Sequence, residues 1–348
     1  MDKIKLGFVG AGFMGQVAHL QNYHVLDDCE VVAIAEPREK LAQKVASQYG
    51  IKKIFKSHLD LLEGADVDAI VAAQPFNRHL MIIPDILNKG IPVFTEKPLA
   101  ASVEAAEKLV KLAEKNDVIH MVGYHKRSDP AMEYAQKLIR EWKESGEFGQ
   151  MRYVRITMPP GDWISGAAAI HLSTDESYPK GEVEAIPSYY DEETYKKYTS
   201  FVNYYIHQLN ALRFMLDEPY KLVFADASEA VIVTESASGV CGTLEMAPYQ
   251  TSVDWEESVF VGFENGYIKV DLPAPLAAQQ PGRVTVMKSN QAEKAQGTFT
   301  PVLSNVAAMR NQASNFLKVL RGGKSAPCNS AEALEDLKIA NDYIELLR

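Results

Sequence analysis

The chain has 348 residues, 47% hydrophobic and 24% charged, a balance that fits a globular protein long enough for two domains. Its 36 Lys and Arg against 46 Asp and Glu leave a formal charge of −10, which disfavours general binding to nucleic acid or to an anionic membrane surface. Cys29, Cys241 and Cys328 lie far apart with no Cys-x-x-Cys spacing, so neither a disulfide framework nor a zinc knuckle is expected. The first apolar run begins almost at once, without a basic-then-apolar leader, and no run reaches spanning length. The expectation is a soluble cytoplasmic protein with reduced thiols.

Ile4 to Val9 is a short apolar run that reads as a buried strand. The turn Gly10-Ala11-Gly12-Phe13-Met14-Gly15 follows directly, Gln16 to Val25 can continue as a helix, and Val31 to Ala35 is a second apolar run ending at Glu36. Strand, glycine turn, helix, strand and acid, in that order, is the context a dinucleotide fingerprint requires. Gly10 permits the tight turn, Gly12 lets a pyrophosphate approach the backbone, and Gly15 lets the helix pack on the sheet. Free amides and the positive end of the helix dipole then face the phosphates. Phe13 and Met14 belong to the same cofactor-facing turn. Glu36 can accept hydrogen bonds from the adenosine ribose and repels a 2′-phosphate, which favours NAD over NADP. Arg38, two residues on, weakens that preference.

The alternation continues through a helix over Arg38 to Tyr49, a short strand at Ile54-Phe55, helical turns over Leu59 to Leu62 and a strand over Ala69 to Ala73. Gln74-Pro75-Phe76-Asn77 breaks that strand, and His79 to Asn88 is helical. Pro92 to Thr95 is a strand followed by Glu96-Lys97-Pro98. Ser102 can cap a helix to Lys115, and Val118 to Val122 closes the series. Repeated strand–helix units predict a doubly wound parallel sheet, with ligands beyond the carboxyl ends of the strands.

The pattern changes near residue 124. Asp129 can cap and Pro130 can open a helix to Glu144. Met151 to Met158 is strand-like, residues 159–199 show no period, and Tyr198 to Leu216 reads as one helix. Short strands then dominate, over Leu222 to Ala227, Ala230 to Thr234, Val240 to Met246, Val259 to Phe263 and Tyr267 to Leu272. Asn265-Gly266 is a hairpin signal. Residues 278–297 read as a solvated loop, and Asn305 to Leu320 and Ser330 to Leu347 as two closing helices. The expected domains are a dinucleotide-binding Rossmann domain over 1–124 and an α+β substrate domain over 125–348. The latter is an open, mainly antiparallel sheet with helices on one face, and the last helices can pack back on the first domain.

Lys97 ends a parallel strand, where its charge can stabilise an alkoxide or, with a lowered pKa, assist proton transfer. The plainer reading is a surface lysine in a turn. Gly10-x-Gly12-x-x-Gly15, Glu96-Lys97-Pro98 and the run Gly123-Tyr124-His125-Lys126-Arg127-Ser128-Asp129-Pro130 together resemble the glucose–fructose oxidoreductase / inositol dehydrogenase (Gfo/Idh/MocA) family. The resemblance covers nearly the whole chain and is weakest over 159–199 and 275–300. It implies an NAD(P)-dependent oxidoreductase acting on a ring hydroxyl of a sugar, inositol or sugar derivative, and a homo-oligomer, dimer or tetramer.

The family's third motif is an Asp followed four residues later by a His. Here His207 takes the histidine position and Asn203 stands where the acid usually does, the two expected on one helical face. With Lys97 they would surround the carbon that exchanges hydride, His207 moving the proton. Asparagine cannot accept a proton at neutral pH, so His207, Lys97 or Tyr205 would have to. A histidine in a mostly apolar helix is otherwise a satisfied core residue. The resemblance also assigns Gln74, Asn77, His79 and Glu96 to the cofactor side. It places His125 and Arg127 near substrate, where the alternative is a seal within the second domain. Asp162 and Trp163 can bind and stack on a sugar, or anchor a loop. No histidine has metal-ligand spacing, so no metal is expected. Two rivals remain: a redox-neutral, NAD-dependent glycosidase that oxidises, eliminates and re-reduces, and a non-catalytic dinucleotide-binding regulator.

Overall fold

Six short apolar runs account for the first half of the architecture. The structure, a computed structural model, describes residues 2–167, 170–246, 253–289 and 296–348, which fall into two compact units. In the first, β1 (Ile4–Val9), β2 (Cys29–Ala35), β3 (Lys53–Phe55), β4 (Ala69–Ala72), β5 (Val93–Glu96) and β6 (His120–Gly123) form a parallel sheet in the order β3-β2-β1-β4-β5-β6. Strands β4, β5 and β6 are buried throughout, as a sheet covered on both faces demands. The chain runs from β1 outward in one direction to β3 and in the other to β6, so the order reverses between β1 and β4. Open α/β sheets bind ligands at such a switch point.

The connecting helices are α1 (Gln21–Tyr23), α2 (Glu39–Tyr49), α3 (His58–Gly64), α4 (His79–Asn88) and α5 (Val103–Asn116). Ser102 caps α5 as expected, its hydroxyl accepting from Ala105 N at 3.1 Å. The helix expected over 16–25 differs: Gly15–Leu20 winds as a wide π-type segment before the single turn of α1. Every residue of that segment is buried, and Gln16 turns its amide back to the Ala11 carbonyl at 2.8 Å.

The first unit is Met1–Tyr124 with Ala169–Asn203 and Gln312–Lys338. Phe316 and Leu317 join Leu6, Phe8, Ile34, Val71 and Phe94 in one core, which explains why a late segment belongs to the first unit. Burying such side chains stabilises by about 1.5–3 kcal/mol each.

The second unit is His125–Ala168, Tyr204–Asn311 and Ile339–Arg348. After α6 (Pro130–Ser145) and β7 (Met151–Thr157) come α7 (Glu192–Tyr204), which lies almost wholly in the first unit, and α8 (Ile206–Leu216). Asp129 caps α6, accepting from Ala131 N at 2.8 Å. The helix expected over Tyr198 to Leu216 is therefore two helices broken at Tyr205, and Asn203 and His207 do not share one continuous helical face.

Strands β8 (Tyr220–Ala225), β9 (Val231–Ser236), β10 (Cys241–Glu245), β11 (Ser258–Phe263), β12 (Gly266–Asp271), β13 (Arg283–Lys288) and β14 (Gly297–Phe299) join β7 in an eight-stranded sheet ordered β14-β13-β12-β11-β7-β10-β9-β8. All its pairings are antiparallel except β7 with β10. Asn265-Gly266 turns β11 into β12 as expected. The solvated loop expected over 278–297 instead supplies β13 and the start of β14, with residues 290–295 outside the described part. Val284 and Val286, both fully buried, alternate with polar neighbours and give β13 its inward face. The last helices are α9 (Ala308–Leu320) and α10 (Ser330–Leu346). No helix among the described residues is long and apolar enough to cross a membrane.

Candidate active site

The glycine turn lies at the carboxyl end of β1. Gly10 has φ +98, and a Cβ there would sit 2.3 Å from Gln74 Nε2, so only glycine fits. Around Gly12 the space is open: a Cβ would meet nothing nearer than Arg38 Nη2 at 3.9 Å. Phe13 is exposed and its ring meets His171 edge-on at 5.1 Å.

Glu36 stands at the end of β2 with its carboxylate buried. Oε2 accepts from Ala11 N at 3.0 Å, and Oε1 accepts from Arg38 N at 3.1 Å and Arg38 Nε at 2.7 Å. The acid thus ties the glycine turn to the loop after β2. The ion pair holds the Arg38 guanidinium above its ordinary pKa and fixes its plane 5.0 Å over Tyr178.

The Glu-Lys-Pro motif leaves the end of β5. Burial alone would raise the Glu96 carboxyl, but His19 holds it below the usual range, accepting-donating geometry being Nε2 to Oε1 at 2.6 Å, with Lys97 helping. His19 was not anticipated from sequence; its position four residues after Gly15 on a buried segment was the available signal. Glu96 Oε2 also accepts from Lys97 N at 3.2 Å, which steadies the backbone of the motif. Lys97 Nζ donates to the main-chain carbonyl of Asn203 at 2.6 Å, within the first unit. The Asn203 residue itself is exposed.

His79 is fully buried, Nδ1 lying 2.9 Å from Leu99 O and Nε2 3.3 Å from Gln74 O. Burial lowers its pKa, so the neutral ring donates to one of these carbonyls and braces the loops after β4 and β5. Asn77 O accepts from Glu184 N at 2.8 Å.

In the second unit the run after β6 is buried. His125 and His207 meet edge-on with ring centroids 4.7 Å apart. Arg127 Nε donates to Asn210 Oδ1 at 2.7 Å and the guanidinium lies 5.1 Å over Phe214, so Arg127 is tied to α8. Lys126 and Glu257 form an ion pair at 2.8 Å, with side chains 5% and 0% exposed. Gln208 donates to the other Glu257 oxygen at 2.8 Å. Glu257 and Gln208 carry no signal in the sequence, because a lone Glu and a lone Gln 49 positions apart have no motif spacing. Tyr205 donates to Met246 O at 2.6 Å, and burial raises its hydroxyl pKa. Asp162 Oδ1 accepts from Ile164 N at 3.2 Å in its own turn, and Trp163 is 39% exposed.

A sequence profile described as "Oxidoreductase family, NAD-binding Rossmann fold" matches residues 4–124. The match covers the first part of the chain, which is similar to that family. Among similar proteins, a myo-inositol 2-dehydrogenase of Thermotoga maritima is 24% identical over 70% of this chain and 63% of its own length. The rhizopine catabolism protein MocA of Rhizobium meliloti is 34% identical over 40% of this chain and 43% of its own. The chain thus matches between 43% and 63% of the length of these relatives. Among solved structures, an aldose-aldose oxidoreductase from Caulobacter crescentus superposes with a TM-score of 0.73 at 17% identity, over 100% of this chain and 98% of that one. A putative NADPH-dependent oxidoreductase from Desulfitobacterium hafniense gives a TM-score of 0.75 at 14% identity, over 99% and 95%. At these identities the superpositions speak for the fold.

Proposed function

We propose that the protein is an NAD-dependent oxidoreductase that exchanges hydride with a ring carbinol of a sugar, inositol or sugar derivative. The observation that carries the reading is Lys97 at the carboxyl end of β5, its motif braced by the buried Glu96–His19 pair, in a sheet whose β1 turn is open around Gly12. Those residues fit a dinucleotide. Gly12 leaves room for a pyrophosphate at the turn, and the Glu36 carboxylate, bonded to that turn through Ala11 N, would accept from a ribose diol and repel a 2′-phosphate. When bound, the nicotinamide supplies hydride exchange at C4. The protein's own residues do the rest. The Lys97 ammonium stabilises the developing alkoxide, the His207 imidazole takes or returns the hydroxyl proton, and the Asn203 amide orients the substrate. His125 and Trp163 lie in the parts of the chain assigned to substrate. Inositol dehydrogenases among the relatives support the choice of a polyol ring.

The test follows nicotinamide absorbance with NAD, a panel of free sugars and inositols, and aryl glycosides. Sustained reduction of NAD on a polyol supports the dehydrogenase. Release of aglycone without net NADH would instead support the redox-neutral glycosidase, which the Asn203 departure from the family's acid favours. Tight NAD binding with silence on every compound would support the regulator.

A further inference from the structure

Residues 170–190 lie within the first unit and touch the carboxyl ends of four of its strands. At the β1 end, Gln16 is fully buried and clasps the backbone of Leu172. Its Oε1 accepts from Leu172 N at 2.9 Å and its Nε2 donates to Leu172 O at 3.0 Å. At the β2 end, the Glu176 carboxylate accepts from the first amides of α2, Lys40 N at 3.1 Å and Leu41 N at 3.0 Å, while Asp175 pairs with Lys40 at 2.9 Å. Tyr178 faces the Arg38 guanidinium at 5.0 Å. At the β4 and β5 ends, Glu184 N donates to Asn77 O at 2.8 Å and the Glu184 carboxyl accepts from Ala101 N at 3.1 Å. Tyr189 then donates to Glu104 at 2.8 Å.

In the sheet β2 and β4 flank β1. The chain that is seated beside Arg38 at Tyr178 and beside Asn77 at Glu184 therefore has to pass across the end of β1, over the Gly10–Gly15 turn. We propose that residues 170–190 are a lid on the dinucleotide site, which lifts to admit the cofactor and re-seats over it, with Tyr178 covering the adenosine end beside Arg38 and Glu36. The proposal rests on the dinucleotide reading of the turn.

Its seating has the character of a latch rather than a wall. The anchors are hydrogen bonds and ion pairs, several of them at the surface, and the lid leaves large apolar side chains in solvent: Ile170 is 58% exposed, Tyr178 54% and Val183 48%. Leu172, packed on the core, and the buried Tyr190 hold the two ends of the lid; the stretch between them buries little apolar area, and such a stretch opens locally at low free energy while the sheet beneath stays folded. Lids of this kind set the rates of ligand entry and release in many enzymes.

The experiment uses the full chain and NADH as probe. Stopped-flow displacement of bound NADH by excess NAD gives the dissociation rate, and hydrogen exchange reports the amides of 170–190 with and without NADH. Glu176→Ala removes the cap on α2, and Tyr178→Ala removes an exposed ring with little risk to folding. Each is expected to speed NADH release about tenfold, the loss of one or two charge-assisted or stacking contacts. NADH is expected to slow exchange across 170–190. Dissociation rates unchanged in both variants, or exchange indifferent to NADH, would overturn the lid while leaving the cofactor site standing. Failure of the parent chain to bind NADH or NADPH would overturn both the lid and the dinucleotide reading.

Discussion

Lys97 reaches the main-chain carbonyl of Asn203, 2.6 Å away, and not its side chain. The amide of Asn203 is therefore separable from the anchoring of Lys97. Asn203→Ala is expected to leave thermal stability within about 0.5 kcal/mol of the parent, as for an exposed side chain, while lowering kcat/KM if the amide orients substrate. Lys97→Ala is expected to lower kcat by a factor of about 10²–10⁴, the range for loss of a charge-stabilising or proton-transferring group. Steady-state kinetics on a proven substrate check both, and full activity of the Lys97 variant would remove that residue from the mechanism.

The Glu36 carboxylate accepts from Ala11 N, Arg38 N and the Arg38 side chain together. Glu36→Ser is expected to raise KM for NAD about 10-fold or more, since hydrogen bonds to charged groups are worth about 1.5–3 kcal/mol. The same change releases the Arg38 guanidinium, so the preference should move toward NADP. Initial rates with both cofactors decide it; an unaltered ratio of kcat/KM would show that Glu36 does not set the choice.

Much of the first unit was legible because parallel strands buried on both faces leave unbroken apolar runs, and the glycine turn, Ser102 and Asp129 mark element ends chemically. The second sheet was legible where hairpins carry turn signals, as at Asn265-Gly266. It was missed at Arg283–Lys288, where a half-buried edge region alternates Val with polar residues among Gln and Lys neighbours. The break at Tyr205 left no mark, since Tyr204, Tyr205 and Ile206 are all compatible with helix and neither Gly nor Pro intervenes. Buried partners such as His19 for Glu96 and Glu257 for Lys126 are set by tertiary packing, which no spacing along the chain encodes. The polar contacts of residues 170–190 were hidden for the same reason.

The Lys126–Glu257 pair should be costly to break singly. Both groups are buried, and Glu257 also accepts from Gln208. Lys126→Met strands a carboxylate in the interior and is expected to destabilise the protein by about 3–5 kcal/mol. Lys126→Met with Glu257→Gln removes both charges and should recover most of that loss. Urea denaturation of the two variants tests the coupling. Equal stability of the single and double variants would mean that the pair is not coupled.

Glu184 gives a pH signature. Burial pushes its carboxyl up to about 7, against the opposing pull of the Ala101 amide. Because the folded state holds this proton more tightly than the unfolded chain, the associated stability is complete below the ordinary carboxyl range near 4.5 and is lost as pH rises through about 7. The loss is on the order of 3 kcal/mol, the size that a carboxyl raised from 4.5 to about 7 implies. Glu184→Gln imitates the protonated acid, keeps an acceptor for the Ala101 amide and cannot ionise. It is expected to match the parent near pH 5 and to exceed it at pH 8, so that the stability difference between the two grows across that interval. Urea melts at several pH values measure the difference directly. A difference independent of pH would mean that Glu184 titrates in the folded protein as it does in the unfolded chain.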